Sequence, residues 1–463
     1  MQEELTRRSF LGAGTKVAAG SALAGGLLAQ PQKAVAQNDK IVVGLIGCGG
    51  MGRANLRQFM KNPDVQVAAL CDVDTTHLDG ALTDVEKAGN QKKPDTYKDF
   101  RALIDRKDIN AVIVGTPDHW HALPTIYACQ AGKEVYCEKP LGFSVGECRA
   151  MLNAARKYNR VVQTGNWQRS SQHMMDAVDL VKSGKLGKIS VTRAWMVRNM
   201  PGIGNPPDGN PPPELDYEMW LGPAPKQPYN PNRSHYNFRW FYDYAGALMT
   251  DWGIHLNDVV LWAMGTPQPI AVTAVGGKFV LDNDNRDTPD TLIATFQFPN
   301  FVHQWEHREG NGRPMDGGPQ GHGIEFIGTN GTLIVDRGGW KVFAETEGKE
   351  KTPRIAEQSV PAKGGLPEHI RDFLDCIKSR QQCRADFEIS ANTTSICHLG
   401  NVAYLAGKKI FWDPATQKLV NAPMNGGSRP SDDRAANQIA LVEREYRRPW
   451  SIDRSLMRVA SAS

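Results

Sequence analysis

The sequence predicts an α/β protein built in two parts. The first is a doubly wound parallel sheet, and the second is an α+β domain with a large, mostly antiparallel open sheet. Two observations predict the first part: a glycine-rich loop between an apolar strand and a helix, and a regular alternation of short strands and helices as far as Thr164. A third observation predicts the second part, because beyond Lys188 long strand-like segments follow one another with few helices between them.

The stretch from Lys40 to Asp72 has the order of a Rossmann dinucleotide-binding unit. The apolar run Ile41–Ile46 predicts a buried strand, a helix-like segment follows the loop, and a second apolar run ends at Asp72. The G-x-G-x-x-G spacing allows a tight turn, a close approach of backbone to pyrophosphate, and close packing of helix on strand. The cofactor-binding candidates in the loop are Gly47, Gly49, Gly50, Met51 and Gly52.

Asp72 predicts which nucleotide is bound. A carboxylate at the end of the second strand accepts hydrogen bonds from the hydroxyls of an adenosine ribose. The same carboxylate repels a 2′-phosphate, and the next residues, Val73 and Asp74, offer no cation. The sequence therefore predicts NAD rather than NADP.

Charge and cysteine content exclude two other classes of function. Lys and Arg number 54 against 50 Asp and Glu in 463 residues, a net charge of +4 without a basic stripe, so nucleic acid is not an expected partner. The eight cysteines are scattered and form no C-x-x-C pair, which favours buried thiols over a metal site.

The N-terminus predicts export. Thr6–Leu11 carries paired arginines, Gly12–Ala29 is mildly apolar, and Ala34-Val35-Ala36 is an A-x-A cleavage signal. We expect residues 1–36 to be a twin-arginine signal peptide and the mature protein to be periplasmic or otherwise exported, with no stable membrane span after the signal is removed. Because that pathway carries folded proteins, the nucleotide is expected to travel inside the protein.

The remaining boundaries follow from changes of pattern. Residues 37–165 are expected to form the nucleotide-binding domain, residues 166–422 the substrate and oligomerisation domain, and residues 423–463 a polar tail that wraps the surface. In the second domain the expected strands cover 189–198, 271–280, 291–298 and 302–307, and a hairpin is expected around Asn330-Gly331. A helix is expected from Asp251 to about Met264.

Two loops follow parallel strands directly, where ligands bind in such sheets. They are Thr116-Pro-Asp-His-Trp-His121 and Glu138-Lys139-Pro140. Asp118, His119 and His121 are metal-ligand types, but alternate positions in a turn do not fix a tetrahedral site, so no metal is predicted.

With Asp251-Trp-Gly-Ile-His255, these motifs make the sequence similar to the Gfo/Idh/MocA oxidoreductases over residues from Lys40 to about Trp412. The resemblance implies a dinucleotide domain followed by an α/β domain whose open sheet often mediates oligomers, here a homodimer or homotetramer. It also implies cofactor contacts from Thr116, Pro117 and His121. Glu138 is interpreted as structural or ribose-contacting, and Asn166 is expected to face the same crevice.

Three residues are the catalytic candidates. Lys139 is placed where an ammonium offsets the charge of a developing alkoxide, and the resemblance favours that role over a surface lysine. Asp251 and His255 stand four apart, so the carboxylate is expected to orient the imidazole or to hold a sugar hydroxyl with it. His255 has a suitable pKa for a general base.

The substrate candidates are Arg169, Arg239, Tyr242 and Tyr244, together with His255. Eight aromatic residues between Trp220 and Tyr244 form either core packing or a wall for the apolar face of a sugar. Arg169 is equally consistent with a surface arginine, and Asp258 is left open.

Three functions remain compatible with the sequence. The first is hydride transfer between a tightly bound nicotinamide and a ring hydroxyl of a sugar or glycoside. The second is a glycoside hydrolase that oxidises the sugar transiently, eliminates the aglycone, adds water and reduces the ketone again. The third is a binding protein for sugar or nucleotide, which the intact Lys139, Asp251 and His255 argue against.

Overall fold

The computed structural model describes all residues except 1–39, 90, 267, 317, 319, 422–431 and 460–463. The expected signal peptide and part of the expected tail therefore lie outside the described residues.

The first sheet contains six parallel strands in the order β3-β2-β1-β4-β5-β6. Its elements are β1 (Ile41–Ile46), α1 (Gly50–Met60), β2 (Val65–Cys71), α2 (Thr75–Ala88), β3 (Asp95–Tyr97), α3 (Phe100–Ile104), β4 (Ala111–Val114), α4 (Ala122–Gln130), β5 (Glu134–Cys137), α5 (Val145–Lys157) and β6 (Val162–Thr164). The order reverses at β1, which lies between β2 and β4. A crevice opens there at the carboxyl ends of the strands, as expected for a doubly wound sheet.

The second sheet contains ten strands in the order β16-β13-β12-β11-β7-β10-β9-β8-β17-β18. In chain order its part of the molecule comprises α6 (Gln172–Lys182), β7 (Ile189–Val197), α7 (Tyr217–Leu221), α8 (Ala247–Asp251), α9 (Gly253–Met264), β8 (Ala271–Gly277), β9 (Thr291–Gln297), β10 (Val302–Arg308), β11 (His322–Gly328), β12 (Gly331–Asp336), β13 (Gly339–Ala344), β14 (Thr346–Glu347), β15 (Thr352–Pro353), β16 (Gln358–Pro361), α10 (Leu366–Ser379), α11 (Phe387–Ala406), β17 (Ile410–Asp413), β18 (Lys418–Val420) and α12 (Arg434–Asn437). The pair β14 and β15 forms a separate ribbon.

The second sheet is mixed rather than uniformly antiparallel, because β10 pairs with β7 in parallel. The expected hairpin around Asn330-Gly331 is present as β11 and β12, which pair antiparallel. Alternate side chains of β9 and β10 are buried, and helices α9 and α11 cover that face. The mostly antiparallel open sheet predicted from the sequence is therefore confirmed.

Helix α10 corrects the expected division of the chain. It follows the second sheet in sequence, but Ile370, Phe373 and Leu374 pack in the same core as Ile41 and Val43 of β1. Its amphipathic pattern supplies the apolar face that covers one side of the parallel sheet. The nucleotide-binding half is therefore completed by a segment that we expected to belong to the second domain.

The tail also differs from the polar strap that the sequence suggested. Leu441 and Val442 are buried in the core of the second sheet, and Ile452 and Leu456 are buried in the core of the first. Arg444 donates a hydrogen bond of 2.7 Å to the backbone oxygen of His119. The described part of the tail thus packs against both halves of the molecule.

Within the described residues, no helix combines the length and the apolar character needed to cross a bilayer.

Candidate functional site

A cavity of about 550 Å³ opens at the carboxyl ends of β1 and β4, where the order of the first sheet reverses. Its wall includes residues from the glycine loop, from the two loops after β4 and β5, and from the segment before α8. Among them are Gly47, Gly49, Gly50, Met51, Asp72, His77, Thr116, Pro117, Asp118, Glu138, Lys139, Trp220, His235, Tyr236, Phe238, Arg239 and Asp251. Most sequence-predicted cofactor residues therefore meet at one cavity.

Close backbone packing shapes the glycine end of the cavity. A Cβ atom on Gly52 would lie 1.9 Å from the Gly47 oxygen, and Gly47 has a φ of +89°, in the left-handed region. Gly50, by contrast, has open space at its Cβ position and begins α1. The N-terminal end of α1 thus faces the cavity with exposed backbone, an arrangement suited to phosphate.

Asp72 directly follows β2 and lies beside the glycine loop, as the sequence predicts. Its carboxylate accepts hydrogen bonds from the backbone nitrogens of Cys48, at 2.6 Å, and Asp74, at 2.9 Å. His77 Nδ1 lies 3.7 Å from the same carboxylate. Asp72 therefore holds the glycine loop as well as facing the cavity.

Lys139, Asp251 and Arg239 form a connected group of charges at the cavity wall. Lys139 Nζ donates to Asp251 Oδ1 at 2.5 Å and to the Asp251 backbone oxygen at 3.1 Å. Arg239 Nη1 donates to the second carboxylate oxygen at 2.8 Å. Burial alone would raise the pKa of Asp251, but the charges of Arg239 and Lys139 outweigh burial and hold that pKa below its ordinary value.

The helix expected to begin at Asp251 is interrupted. Asp251 is the last residue of α8, and α9 begins at Gly253 after the intervening Trp252. The break turns the Asp251 carboxylate to Lys139 and Arg239 instead of pairing it with His255 along one helix face. No hydrogen bond joins Asp251 to His255 in the described structure, so the carboxylate does not orient the imidazole by direct contact.

His255 is nevertheless close enough for these charges to act on it. The side chain is only 6% exposed, and its Nδ1 has no hydrogen-bond partner. Burial lowers the pKa of His255 well below its ordinary value, and the cations Arg337 and Lys139 lower it further. The imidazole is therefore neutral at pH 7, with one ring nitrogen unengaged.

Asp118 is a cavity residue that sequence reasoning did not select. Burial raises its pKa to about 7, and the nearby Asp251 charge adds to the rise while Lys139 opposes it. Its position in the loop after β4 was the available signal. The sequence does not show this burial, because the aromatic segment around Trp220 that covers the loop lies far away in the chain.

Glu138 has a structural contact within the same wall. It accepts a 2.7 Å hydrogen bond from Asn55 of α1 and a 3.1 Å bond from the Lys139 backbone nitrogen. Burial raises the pKa of this carboxyl. Glu138 thus connects α1 to the loop that carries Lys139.

The cavity lining lacks three predicted cofactor residues, Gly52, His121 and Asn166. His121 is buried, and its ring nitrogens lie 2.6 Å from the Pro140 backbone oxygen and 2.9 Å from that of Thr116, so the neutral imidazole donates a hydrogen bond to one of the two. It joins the two cavity loops from behind and does not line the cavity. Asn166 is also buried away from the cavity, and both atoms of its amide are without a hydrogen-bond partner in the described structure.

The cavity lining also lacks four predicted substrate residues, Arg169, Tyr242, Tyr244 and His255. Arg169 binds Asp258 through two hydrogen bonds, of 2.6 and 2.9 Å, and both side chains are buried. Tyr244 is fully buried against Trp220. Tyr242 has its hydroxyl enclosed without a partner, and its backbone nitrogen donates to Asp287. Of the four candidates named with His255, Arg239 alone reaches the cavity.

One group of metal-ligand types lies elsewhere. Asp372, Cys376 and Cys383 have ligand atoms within 4.8 Å of one another. They lie on α10 and in the segment after it, and they do not line the cavity.

Comparison with known families agrees with this geometry. Residues 41–166 match the family described as "Oxidoreductase family, NAD-binding Rossmann fold", and residues 191–292 match the description "Oxidoreductase family, C-terminal alpha/beta domain". Both descriptions belong to the Gfo/Idh/MocA group.

Curated relatives match a smaller part of the chain. A glycosyl hydrolase family 109 protein of Shewanella putrefaciens is 31% identical over 156 residues, which are 33% of this chain and 34% of the relative. One from Stenotrophomonas maltophilia is 30% identical over 210 residues, which are 43% of this chain and 44% of the relative. The chain thus spans less than half the length of the curated relatives it matches.

Solved structures share the fold over most of the chain. Levoglucosan dehydrogenase in complex with NADH and levoglucosan superposes with a TM-score of 0.61 at 19% identity, covering 81% of this chain and 99% of the other. Aldose-aldose oxidoreductase from Caulobacter crescentus, complexed with glycerol, superposes with a TM-score of 0.60 at 20% identity, covering 80% and 99%. The two matched segments, residues 41–166 and 191–292, assign the chain to the Gfo/Idh/MocA oxidoreductase family, with an NAD-binding Rossmann domain.

Proposed function

We propose that this protein is a carbohydrate oxidoreductase that moves hydride between a retained NAD and a ring hydroxyl of a sugar or glycoside. The observation that supports this most is the Lys139–Asp251–Arg239 group at the wall of the nucleotide cavity. It places a fixed ammonium at the wall of the cavity that the glycine loop also lines.

The residues present fit a dinucleotide. The glycine loop leaves backbone room that a side chain would fill, and Asp72 supplies a carboxylate beside it. A cavity of about 550 Å³ is within the ordinary size of cofactor sites, roughly 300–1,000 Å³. The glycine loop and α1 would hold the phosphates, Asp72 the adenosine ribose, and Thr116, Pro117 and Glu138 the nicotinamide side.

When bound, the nicotinamide supplies the hydride acceptor and donor. Lys139 then has a direct role, because its ammonium donates hydrogen bonds and offsets negative charge that develops on a substrate hydroxyl oxygen. Asp251 and Arg239 hold that ammonium in place. Tyr236 and Phe238 give the cavity apolar surface on the same side, suited to the face of a sugar ring.

The proton of the substrate hydroxyl needs an acceptor. His255 is neutral and has a free ring nitrogen, which makes it the base in this proposal. Asp118 is the competing candidate, since its carboxyl has a pKa of about 7 and it lines the cavity. A His255→Ala variant is expected to lower the rate by roughly 10²–10⁴. If Asp118→Asn has that effect and His255→Ala does not, the assignment is reversed.

A second function is favoured by the relatives named as glycosyl hydrolase family 109 proteins. Oxidation of a ring hydroxyl to a ketone acidifies the neighbouring C–H bond, so an aglycone can leave by elimination before water adds and the ketone is reduced. The net reaction is then hydrolysis without net redox. It requires the same charged group around the substrate hydroxyl.

A panel of free sugars and glycosides, incubated with the purified protein without added cofactor, separates these readings. Oxidised products paired with reduced ones support the oxidoreductase, and free sugar plus aglycone supports the hydrolase. Absence of product from every sugar, with no change in nicotinamide absorbance, would favour a binding protein. Mass analysis of acid-released nucleotide tests the choice of NAD, which recovery of mainly NADP would overturn.

Export and assembly complete the proposal. The paired arginines and A-x-A signal of residues 1–36 support a periplasmic or otherwise exported location. The large open sheet, with exposed Val275, Ile293 and Val302 on its uncovered face, supports a homodimer or homotetramer. Edman sequencing of the mature protein tests export, because it locates the cleavage site. Light scattering tests the oligomeric state.

A further inference from the structure

Among the residues that the structure describes, Arg337 has no ion-pair partner, and its charge acts on the proposed base His255. Arg337 occupies the turn between β12 and β13. Its central carbon lies 4.6 Å from the centre of the Trp167 ring and 4.4 Å from that of Trp252. The arginine is therefore held between two indoles.

The charge of Arg337 is not compensated by a direct contact. Its Nε is shielded from solvent and has no hydrogen-bond partner in the described structure. The carboxylate whose charge acts on Arg337 is that of Asp251, and both oxygens of that group are already bound by Lys139 and Arg239. Contact with indole faces offsets only part of the cost of removing a cation from water.

Two histidines with unengaged nitrogens adjoin the same indoles. The Trp252 ring centre lies 6.2 Å from that of His255 and 4.8 Å from that of His322. His255 Nδ1 and His322 Nε2 are both buried without a hydrogen-bond partner. Burial lowers the pKa of His322 to about 4, so this side chain is neutral too. We call these five side chains the arginine cluster: Trp167, Trp252, His255, His322 and Arg337.

The arginine cluster and the proposed reaction site are related through His255, although none of the five side chains lines the cavity. The charges of Arg337 and Lys139 both lower the pKa of that imidazole. Trp167 follows the last strand of the first sheet, and Trp252 separates α8 from α9 directly after Asp251. Trp167, Trp252 and Arg337 are half-buried, so the cluster has a solvent-facing side.

We propose that Arg337 binds a carboxylate carried by the sugar, so that the substrate class is a uronic acid or its glycoside. This inference rests on the proposed function, since it assigns the substrate of that same site. An arginine presents its two terminal nitrogens as a planar fork, which matches the two oxygens of a carboxylate. Because Nε is shielded and the rings of Trp167 and Trp252 lie against the guanidinium, the terminal edge is the accessible part of this half-buried side chain. His322 would supply a further hydrogen bond to the acid or to an adjacent hydroxyl.

Calorimetric titration of the nucleotide-loaded protein tests the assignment. The probes are methyl glycosides in matched pairs, glucuronide with glucoside, galacturonide with galactoside and mannuronide with mannoside, together with the 6-sulfated glycosides. In one pair at least, the uronide is expected to bind roughly tenfold more tightly than its neutral partner, as a charge-assisted bidentate contact requires. Arg337→Gln should reduce that ratio to near unity, and Arg337→Lys should retain part of it.

The control is Arg354→Gln, which removes an exposed guanidinium beside Glu347 on the β14–β15 ribbon. It should leave the ratio unchanged. Equal binding of both members of every pair, no uronide binding, or a ratio that survives Arg337→Gln would overturn the inference. Tighter binding of a 6-sulfated glycoside would overturn the choice of a carboxylate.

Failure of this inference and failure of the proposed function give different results. Turnover of neutral sugars with no preference for uronides would overturn the acidic-sugar assignment and leave the oxidoreductase proposal standing. Preferential uronide binding that Arg337→Gln abolishes, without any absorbance change or product, would support the arginine site and overturn the proposed chemistry.

Discussion

The Asp251 carboxylate binds two cations, and this arrangement determines what happens when either cation is removed. Lys139 Nζ contacts one carboxylate oxygen at 2.5 Å, and Arg239 contacts the other at 2.8 Å. Removal of either cation leaves the carboxylate with one remaining partner, so a single substitution does not strand a buried charge. The Lys139 side chain can therefore be tested for its chemical role without an expected collapse of the site.

Lys139→Ala is expected to abolish turnover while the fold and the bound nucleotide persist. The ammonium is placed where negative charge develops, a contribution typically of ~3 kcal/mol or more. Steady-state kinetics with the preferred sugar, together with the nucleotide content of the purified variant, measures both effects. A rate loss of less than tenfold would remove Lys139 from the catalytic group, and loss of nucleotide would assign it to binding instead.

The pH dependence of the reaction reports on His255. A base must be neutral to accept a proton, and burial with Arg337 and Lys139 holds the pKa of His255 well below its ordinary value of about 6.5. The acidic limb of kcat/KM is therefore expected well below pH 6.5, with full activity at pH 6.5 and above. A limb near pH 7 would point to Asp118, and its loss in Asp118→Asn would establish that.

Sequence motifs identified site residues that stand close to the end of a strand. They missed residues that only tertiary packing brings to the site. Lys139 directly follows a buried strand, so its place at the carboxyl end of the sheet could be inferred from sequence. Arg337 belongs to a distant hairpin turn, where no motif marks it. Tyr244 was misplaced because aromatic content does not reveal which ring faces the core.

At the scale of elements, α10 is joined to the first sheet by a shared ion pair. Asp64, just before β2, accepts from Arg371 at 2.9 Å and from Lys378 at 2.5 Å. Burial alone would raise the pKa of Asp64, but these two cations hold it well below its ordinary value. The carboxylate thus stabilises the docking of α10 whenever it is ionised.

Asp64→Asn is expected to lower the free energy of unfolding by about 1 kcal/mol at pH 7, the upper range for partly exposed pairs. Because the folded pKa is depressed, this contribution is present above about pH 4 and is lost as the pH falls through the folded value. Urea unfolding at pH 7 and at pH 3 should show the difference shrinking at the lower pH. Asp108→Asn, which removes a more exposed partner of Arg106, is the control and should have less effect.

Periodicity located β7 to β12 to within a few residues, because alternation and apolar runs are local properties. The sequence did not predict β3, β13, β16, β17 or β18. The break at Trp252 was not predicted, since a single helix was expected from Asp251 to about Met264. In the structure the Asp251 carboxylate contacts Arg239 and also Lys139, which lies far away in sequence. Tertiary contacts of this kind also explain why α10 was assigned to the wrong half.

At the scale of the whole molecule, the nucleotide cavity is closed by parts of both halves. Gly47 and Asp72 come from the first sheet, and Trp220, Tyr236 and Arg239 come from the long segment between β7 and β8. A ligand in this cavity is therefore enclosed by the assembled protein. Slow release of nucleotide follows if the segment must move for the ligand to leave.

Purified mature protein is expected to show nicotinamide absorbance that survives dialysis and changes when sugar is added. An exported enzyme meets no soluble nicotinamide pool, so a retained and regenerated cofactor is the consistent arrangement. Absorbance spectra before and after dialysis, followed by sugar addition, make the measurement. A protein that purifies empty, and that consumes one added NAD per product, would instead be an ordinary dehydrogenase.

The position of α10 has a consequence for how the protein is made. The apolar face of the first sheet is covered by residues that leave the ribosome only after more than three hundred others, since α10 spans Leu366–Ser379. Until then the nascent chain lacks Ile370, Phe373 and Leu374, which complete the core around Ile41 and Val43. The core beneath the nucleotide site is therefore completed late in translation, and a chain cut after residue 165 is expected to hold nucleotide less tightly than the full chain.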